Sequence, residues 1–418
     1  MRATIGRIDA GAGALTPLMS TDTRSASLAG PAHPLAAAGR RDSWAGVASL
    51  GLGVFALVMA EFLPASLLTT MAADLGVSEG VAGQSVTVTA LVAAVAGLAL
   101  PVVLPRIDRR LVMLGLTTLA IASSVLVAVA PNYPVLLAAR ILIGIAIGGF
   151  WALAIAMTAQ LVAPARLGRA MTVVNTGVSL ATVAAIPLGA WLSELWGWRA
   201  VFLLAAGVGL AALAVQLTVL PSLAPAGAPG LRQLGGALRS RLVVLGLVAT
   251  AFVAAGHFTG FTYINPAAQT IAGFDTSGLA TLLLVYGVAA FAGNLVAGPL
   301  VDRRMRTAIL VFPTLLGAAM AVVALSGGAP VSVVAAVALW GFAFGAVPTT
   351  LQTWLARSAP DRLESVGGLQ VAAFQLAIAA GAVVGGVLVD SVGVQLALIA
   401  GGASAVVGGV LLSSLRSR

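Results

Sequence analysis

The sequence predicts an all-α integral membrane protein, with twelve transmembrane helices arranged as two six-helix, pseudo-symmetric bundles. Three observations lead there. Of 418 residues, 60% are hydrophobic and 8% charged, and the mean hydropathy is +1.07. A soluble domain carries about 25% charged residues, and a chain this size could not cover so much apolar surface with so few. Apolar runs follow one another from Trp44 to the end of the chain, and a bilayer-spanning helix needs about 20 such residues. The breaks between runs are alternately rich and poor in arginine. The chain has no Cys, which excludes a disulfide scaffold and thiol chemistry. Two His and no Cys leave no zinc-ligand spacing, so no metal is expected.

Residues 1–42 are mainly Ala, Gly, Ser, Thr and Arg without a long apolar run. No cleavage pattern follows their first arginines, so they read as a disordered cytoplasmic tail and not a signal peptide. Span 1 (44–71) opens at Trp44 and holds Glu61 and Pro64. Span 2 (81–104) stops at PRIDRR (105–110), and span 3 (111–130) follows it. Span 4 (135–162) carries Arg140 and ILIGIAIGG (141–149). Span 5 (170–192) and span 6 (199–220) complete an N-terminal bundle, 44–220. The segment 221–241, PSLAPAGAPGLRQLGGALRSR, is rich in Pro, Gly and Arg and reads as a cytoplasmic linker. Span 7 reads as one run over 242–271, and span 8 (278–301) runs into VDRRMR (301–306). Span 9 (307–325), span 10 (331–356, with ALWGFAFGA at 338–346), span 11 (366–389) and span 12 (393–414) complete a C-terminal bundle, 242–414. Runs this long exclude strands, and membrane-barrel segments would alternate with period two.

The net charge of +9 is all arginine, because the chain has no Lys. A nucleic-acid surface would cluster its charge on one soluble face. Here 20 of the 22 arginines lie in the tail, the even-numbered breaks and the C-terminus, and only Arg140 and Arg199 do not. By the positive-inside rule both termini and the linker are then cytoplasmic. No nucleic-acid partner is expected. The partners are a lipid bilayer and a small-molecule substrate, and the protein is expected to be a monomer. No GxxxxGK(S/T) loop is present, which argues against ATP-driven transport.

The two halves echo each other. PRIDRR after span 2 matches VDRRMR after span 8, and the glycine spacing of span 4 recurs in span 10. Such duplication marks a transporter whose substrate site lies near the midplane between repeats.

These motifs resemble the major facilitator superfamily, in its twelve-span drug:proton antiporter branch. The second loop copy, GNLVAGPLVDRR (293–304), is the better match to the family's loop motif; the first is LPRIDRR. Arg140, Gly144 and Gly148 fit the span 4 motif RxxxGxxxG. Gly177, Pro187-Leu188-Gly189 and Gly197-Trp198-Arg199 resemble the antiporter motif of span 5, with Ile186 where many members carry Gly. EFLPASLLTTMAADLGVSEGVAGQSVTVTA (61–90), GGFWA (148–152) and GHFTGFTYINP (256–266) are similar to bacterial purine ribonucleoside efflux pumps. The resemblance implies a non-enzymatic exporter of the bacterial inner membrane that carries inosine, guanosine and their analogues against protons. Related exporters handle chloramphenicol-type drugs or sugars, and a nutrient:proton symporter is the further alternative.

Glu61 is the one acid inside a span away from its ends, about 10 residues or roughly 15 Å from the outer end. An intramembrane carboxyl must be protonated, paired or turned to a cavity, which suits a proton carrier. Proton is the only coupling ion expected, with no cofactor. Arg140 lies about 5 residues, roughly 8 Å, inside span 4, and it is expected to stabilise deprotonated Glu61. His257, Phe258, Phe261, Tyr263 and Asn265 offer titration, stacking and an amide edge to a base. Trp151, Asn294 and Gln375 are further candidates for substrate contact. Asp108-Arg109-Arg110 and Asp302-Arg303-Arg304 are expected to gate, holding the inside closed by charge pairs that break as the bundles rock.

Overall fold

A computed structural model describes residues 42–225, 231–327 and 329–414. The tail expected over 1–42 therefore lies, except for Asp42, outside the described residues. So do the side chains of Asn265, Ile186 and Pro187.

Six long helices form the first half: α1 Trp44–Leu75, α2 Glu79–Val103, α3 Arg109–Ala128, α4 Tyr133–Leu161, α5 Leu167–Trp196 and α6 Trp198–Val219. Their starts are capped as short polar residues allow. The side chains of Ser43, Ser78, Asp108 and Asn132 accept from the first-turn N–H groups of α1, α2, α3 and α4. A short helix follows in the linker, α7 Leu231–Leu238. The second half contains α8 Arg241–Phe261, α9 Ile264–Ala272, α10 Thr276–Leu325, α11 Pro330–Ser358, α12 Leu363–Val392 and α13 Val394–Ser414. Among the described residues there is no strand.

Among the described residues, ten helices are long and apolar enough to cross a membrane. Unbroken, α10 with its 50 residues would extend about 75 Å, more than twice a hydrocarbon core. It breaks at Arg304 (φ −142°, ψ 60°), so its two arms are separate crossings. With α5, 30 residues long, the crossings number twelve. Span 7 departs from the continuous run expected over 242–271. It stops at Phe261, turns at Thr262–Tyr263 and resumes as α9. Pro266 has no N–H to give to the Thr262 carbonyl four residues back, which explains a break at this place.

In the first half α1 packs on α5 and α6, α2 on α4, and α3 on α4 and α6. The second half repeats this plan: α8 packs on α12 and α13, and α10 on α11 and α13. One buried cluster runs from Val47 to Leu223 and another from Ala237 to Leu412. The halves meet where α5 touches α10 and where α12 touches α2 and α4. Apolar side chains such as Leu91, Val95, Leu284 and Val383 point outward, toward lipid.

The linker is tied to both halves. The Asp108 carboxylate accepts from the Leu223 N–H (3.1 Å) and the Ser222 hydroxyl, and the Arg109 N–H donates to the Leu223 carbonyl (2.9 Å). Farther along, Arg362 donates to the Gly236 carbonyl of α7 (2.5 Å).

Candidate functional site

Glu61 stands midway along α1 and is half-buried. Among the described residues its carboxyl makes no hydrogen bond or ion pair. The reason lies in Arg140, which reaches it from α4 and is 1% exposed. Its Nη1 donates to the Ala60 carbonyl (2.9 Å) and its Nη2 to the Glu61 backbone carbonyl (3.1 Å). Its Nε faces the Ser85 carbonyl of α2 at 3.5 Å. The Ala60 carbonyl is the one that Pro64 leaves without a helical donor. The arginine was expected to stabilise deprotonated Glu61; its charge lies close enough to act on that carboxyl, while its hydrogen bonds go to the backbone of the helix that carries it.

Around His257 the second half gathers a cluster of rings. His257 is 1% exposed, and its Nδ1 accepts from the Trp340 indole N–H (3.0 Å). A neutral ring with Nδ1 accepting carries its proton on Nε2. Phe344 stacks on His257 with centroids 3.4 Å apart, and Phe261 stacks at 5.0 Å. Phe258 meets the imidazole edge-on at 4.7 Å. Tyr286 lies against Phe261 at 4.8 Å, and its hydroxyl, fully buried, has no partner among the described residues. Trp340, Tyr286 and Phe344 were not singled out from the sequence. Tyr286 stands on α10, and Trp340 and Phe344 are four residues apart on α11; no sequence spacing links any of them to His257.

The other expected substrate contacts are placed differently. The Tyr263 hydroxyl donates to the Ala382 carbonyl (2.8 Å), tying the span 7 break to α12. Trp151 is half-buried against Phe150. Gln375 is half-buried on α12, and its amide makes no hydrogen bond among the described residues. Asn294 is fully engaged. Its Nδ2 donates to the Thr172 carbonyl (3.1 Å) and Thr176 Oγ1 (3.2 Å), and its Oδ1 accepts from Thr349 (2.9 Å). Asn175 Nδ2 donates to Thr349 Oγ1 (3.0 Å) and Gln352 Oε1 (2.8 Å). These residues form a buried polar layer that joins α5 to α10 and α11 across the halves. Asn175 and Gln352 are polar residues within apolar spans, a signal the sequence did carry.

Beyond this layer, toward the arginine-rich side, the halves are bonded shut. Arg109 of the first half and Glu364 of the second form a two-pronged pair, Nε–Oε1 2.7 Å and Nη2–Oε2 2.5 Å. Their side chains are 0% and 2% exposed. Asp302 accepts from the Gly168 and Arg169 N–H groups at the start of α5 (2.8 and 3.0 Å). It also pairs with Arg357 (2.8 Å). Ile155, Ala156, Met171, Ala356 and Leu363 seal the same level with apolar contact. Not every residue of the two loop motifs crosses between the halves. Asp108 bonds to Arg110 and to the start of the linker, and Arg110 to the Leu217 carbonyl (2.6 Å), without reaching the second half. Arg303 and Arg304 are exposed and make no hydrogen bond or ion pair among the described residues. Burial alone would raise the Asp108 carboxyl. Its hydrogen bonds from Ser222, Leu223 and Arg110 outweigh that and hold it below its ordinary value. Glu364 had only a faint signal, as an acid opening span 11 in an arginine-bearing break.

Twelve crossings in two repeated halves, closed on one side by bonds between those halves, define a secondary membrane transporter. The chain belongs to the Major Facilitator Superfamily, whose model matches residues 50–382. It is 41% identical over 365 residues to a transcription regulatory protein, OpdE, of Pseudomonas aeruginosa, covering 86% of this chain and 91% of that one. It is 39% identical over 362 residues to the purine ribonucleoside efflux pump NepI of Escherichia coli (strain K12), covering 87% and 91%. Among solved structures it is similar to the human organic anion transporter MFSD10 (TM-score 0.72, 18% identity, 89% of this chain and 100% of that one). It is also similar to the proton:xylose symporter XylE (TM-score 0.70, 16% identity, 88% and 94%).

Proposed function

We propose that this transporter exports purine ribonucleosides, inosine and guanosine among them, and related analogues in exchange for protons. It would sit in a bacterial inner membrane, as a monomer, with both termini and the arginine-rich side cytoplasmic. The similarity to NepI supports the substrate class. The observation that carries the coupling is the unpaired carboxyl of Glu61, midway through the membrane, while the arginine-rich side is bonded shut. In the cycle proposed, a proton reaches Glu61 while the site faces outward, substrate leaves, and the protonated carrier returns inward. Substrate then binds as Glu61 gives the proton up. The rings around His257 offer a purine a flat apolar face, and the Nε2–H of His257 and the Tyr286 hydroxyl offer its edge hydrogen bonds. The proton is the only coupling species required.

The test is labelled inosine in proteoliposomes under an imposed proton gradient, with guanosine, chloramphenicol and arabinose as competitors. Gradient-driven flux should be competed by guanosine and not by the other two. Glu61→Gln should bring it to the level of protein-free vesicles. Unchanged gradient-driven flux in that variant would remove Glu61 as the proton carrier.

A further inference from the structure

We infer that Pro64 is a positioning residue for Glu61. By leaving the Ala60 carbonyl without a helical donor, it holds the Arg140 guanidinium on the backbone and keeps the Glu61 carboxyl unpaired. This rests on Glu61 as the proton carrier proposed above.

A proline inside a helix removes the N–H that would bond the carbonyl four residues earlier. In α1 that carbonyl belongs to Ala60. A buried carbonyl in a lipid-embedded helix needs a substitute donor, and Arg140 Nη1 supplies it at 2.9 Å. The second prong, Nη2 on the Glu61 carbonyl at 3.1 Å, fixes the fork in place. Arg140 is then committed to backbone oxygens on the residue whose side chain carries the acid. A cation beside a carboxylate in a low-dielectric setting would otherwise pair with it firmly and hold it ionised. The proline therefore keeps two opposite charges close without letting them lock, so that Glu61 can take and release a proton.

The test uses purified full-length protein without substrate, and reads labelling of Glu61 by dicyclohexylcarbodiimide, a reagent selective for protonated carboxyls in apolar surroundings. Glu61→Gln gives the background. Wild type should label readily. Pro64→Ala restores the helical N–H, frees Arg140 to pair with the carboxylate and should reduce labelling several-fold. Adding Arg140→Gln to Pro64→Ala should restore it. Pro64→Ser, which also restores the N–H, serves if the alanine variant does not fold. Thermal midpoints run in parallel: Arg140→Gln should cost less stability in the Pro64→Ala background than alone. A merely structural proline could shift the midpoints but not the labelling. Wild-type labelling in Pro64→Ala, or no recovery in the double variant, overturns the inference. Coupled transport unaffected by Glu61→Gln would instead overturn the proton-carrier reading, whatever the labelling shows.

Discussion

Tyr286 carries a hydroxyl that is fully buried and unpartnered among the described residues. Leaving such a group unmade costs about 1–3 kcal/mol, and phenylalanine would fill the same space without the penalty. It lies beside His257 and Phe261, and the substrate site proposed above would give the hydroxyl a use: a hydrogen bond to bound substrate. Tyr286→Phe should therefore leave the thermal midpoint unchanged or raised. It should weaken inosine transport by roughly 1 kcal/mol, or about five-fold in apparent affinity, read as the half-saturation concentration in proteoliposomes. An unchanged affinity would mark the hydroxyl as packing only. Arg140 teaches a related lesson. A charged residue in a span invites a search for the opposite charge, yet the helix backbone next to a proline is a competing acceptor.

The helices approach each other through glycines, and the pattern recurs in the two halves. A Cβ on Gly144 would stand 2.8 Å from the Thr89 carbonyl oxygen, and one on Gly148 2.2 Å from that of Ala93, so α4 lies directly on α2. Gly341 and Gly345 stand in the same relation to Tyr286 and Ala290, at 2.3 and 1.9 Å, which sets α11 on α10. One and the same shift in numbering relates all four pairs. Small residues allow such contact in lipid, where apolar burial does not drive helices together. Gly148→Ala and Gly345→Ala should each destabilise the protein by about 1–3 kcal/mol, because backbone must move to admit the methyl. Detergent-solubilised thermal unfolding would measure it, with Gly115→Ala, a position with open space around its Cβ, as the neutral control. Two single-residue joints repeat as well. Gly197 (φ 79°) turns α5 into α6 and Gly393 (φ 91°) turns α12 into α13, each in a conformation that side chains disfavour. Trp198 and Arg199 then bind Asp74 at the end of α1, so this motif fastens the end of the first half that lies away from the arginine-rich side.

Between the halves, the hydrogen bonds and ion pairs described above lie in the polar layer or on the arginine-rich side of it. The Arg109–Glu364 pair is buried, so removing one partner strands the other. Such losses cost about 3–5 kcal/mol. Here the halves can separate and let water reach the stranded charge, so much of that cost should appear as a shift toward the state open on the arginine-rich side. The chain has no cysteine of its own. A probe at Ser365→Cys, buried beside the pair on α12, can report opening by its rate of maleimide labelling. Arg109→Ala should raise that rate over the probe alone. An equal rate would show that the polar layer and the Asp302 cap hold this side closed without the pair.

Composition and run length settled the class of this protein, and the arginine alternation settled the number of crossings. Both are properties of consecutive residues, and a bilayer reads them directly, since each helix must satisfy its own backbone and match the hydrocarbon thickness. Glu61 was legible for the same reason: one acid in a long apolar run stands out without any knowledge of its neighbours. Partnerships were not legible. Arg109 and Glu364 are 255 positions apart, Asn175 and Gln352 are 177 apart, and the rings around His257 come from separate helices. Which side chains meet depends on how each helix is rotated and how closely glycines let it approach, and span-by-span reading contains neither quantity. The tertiary structure sent Arg140 to the Ala60 carbonyl opened by Pro64 and to the Glu61 carbonyl next to it, and not into a hydrogen bond with the carboxylate.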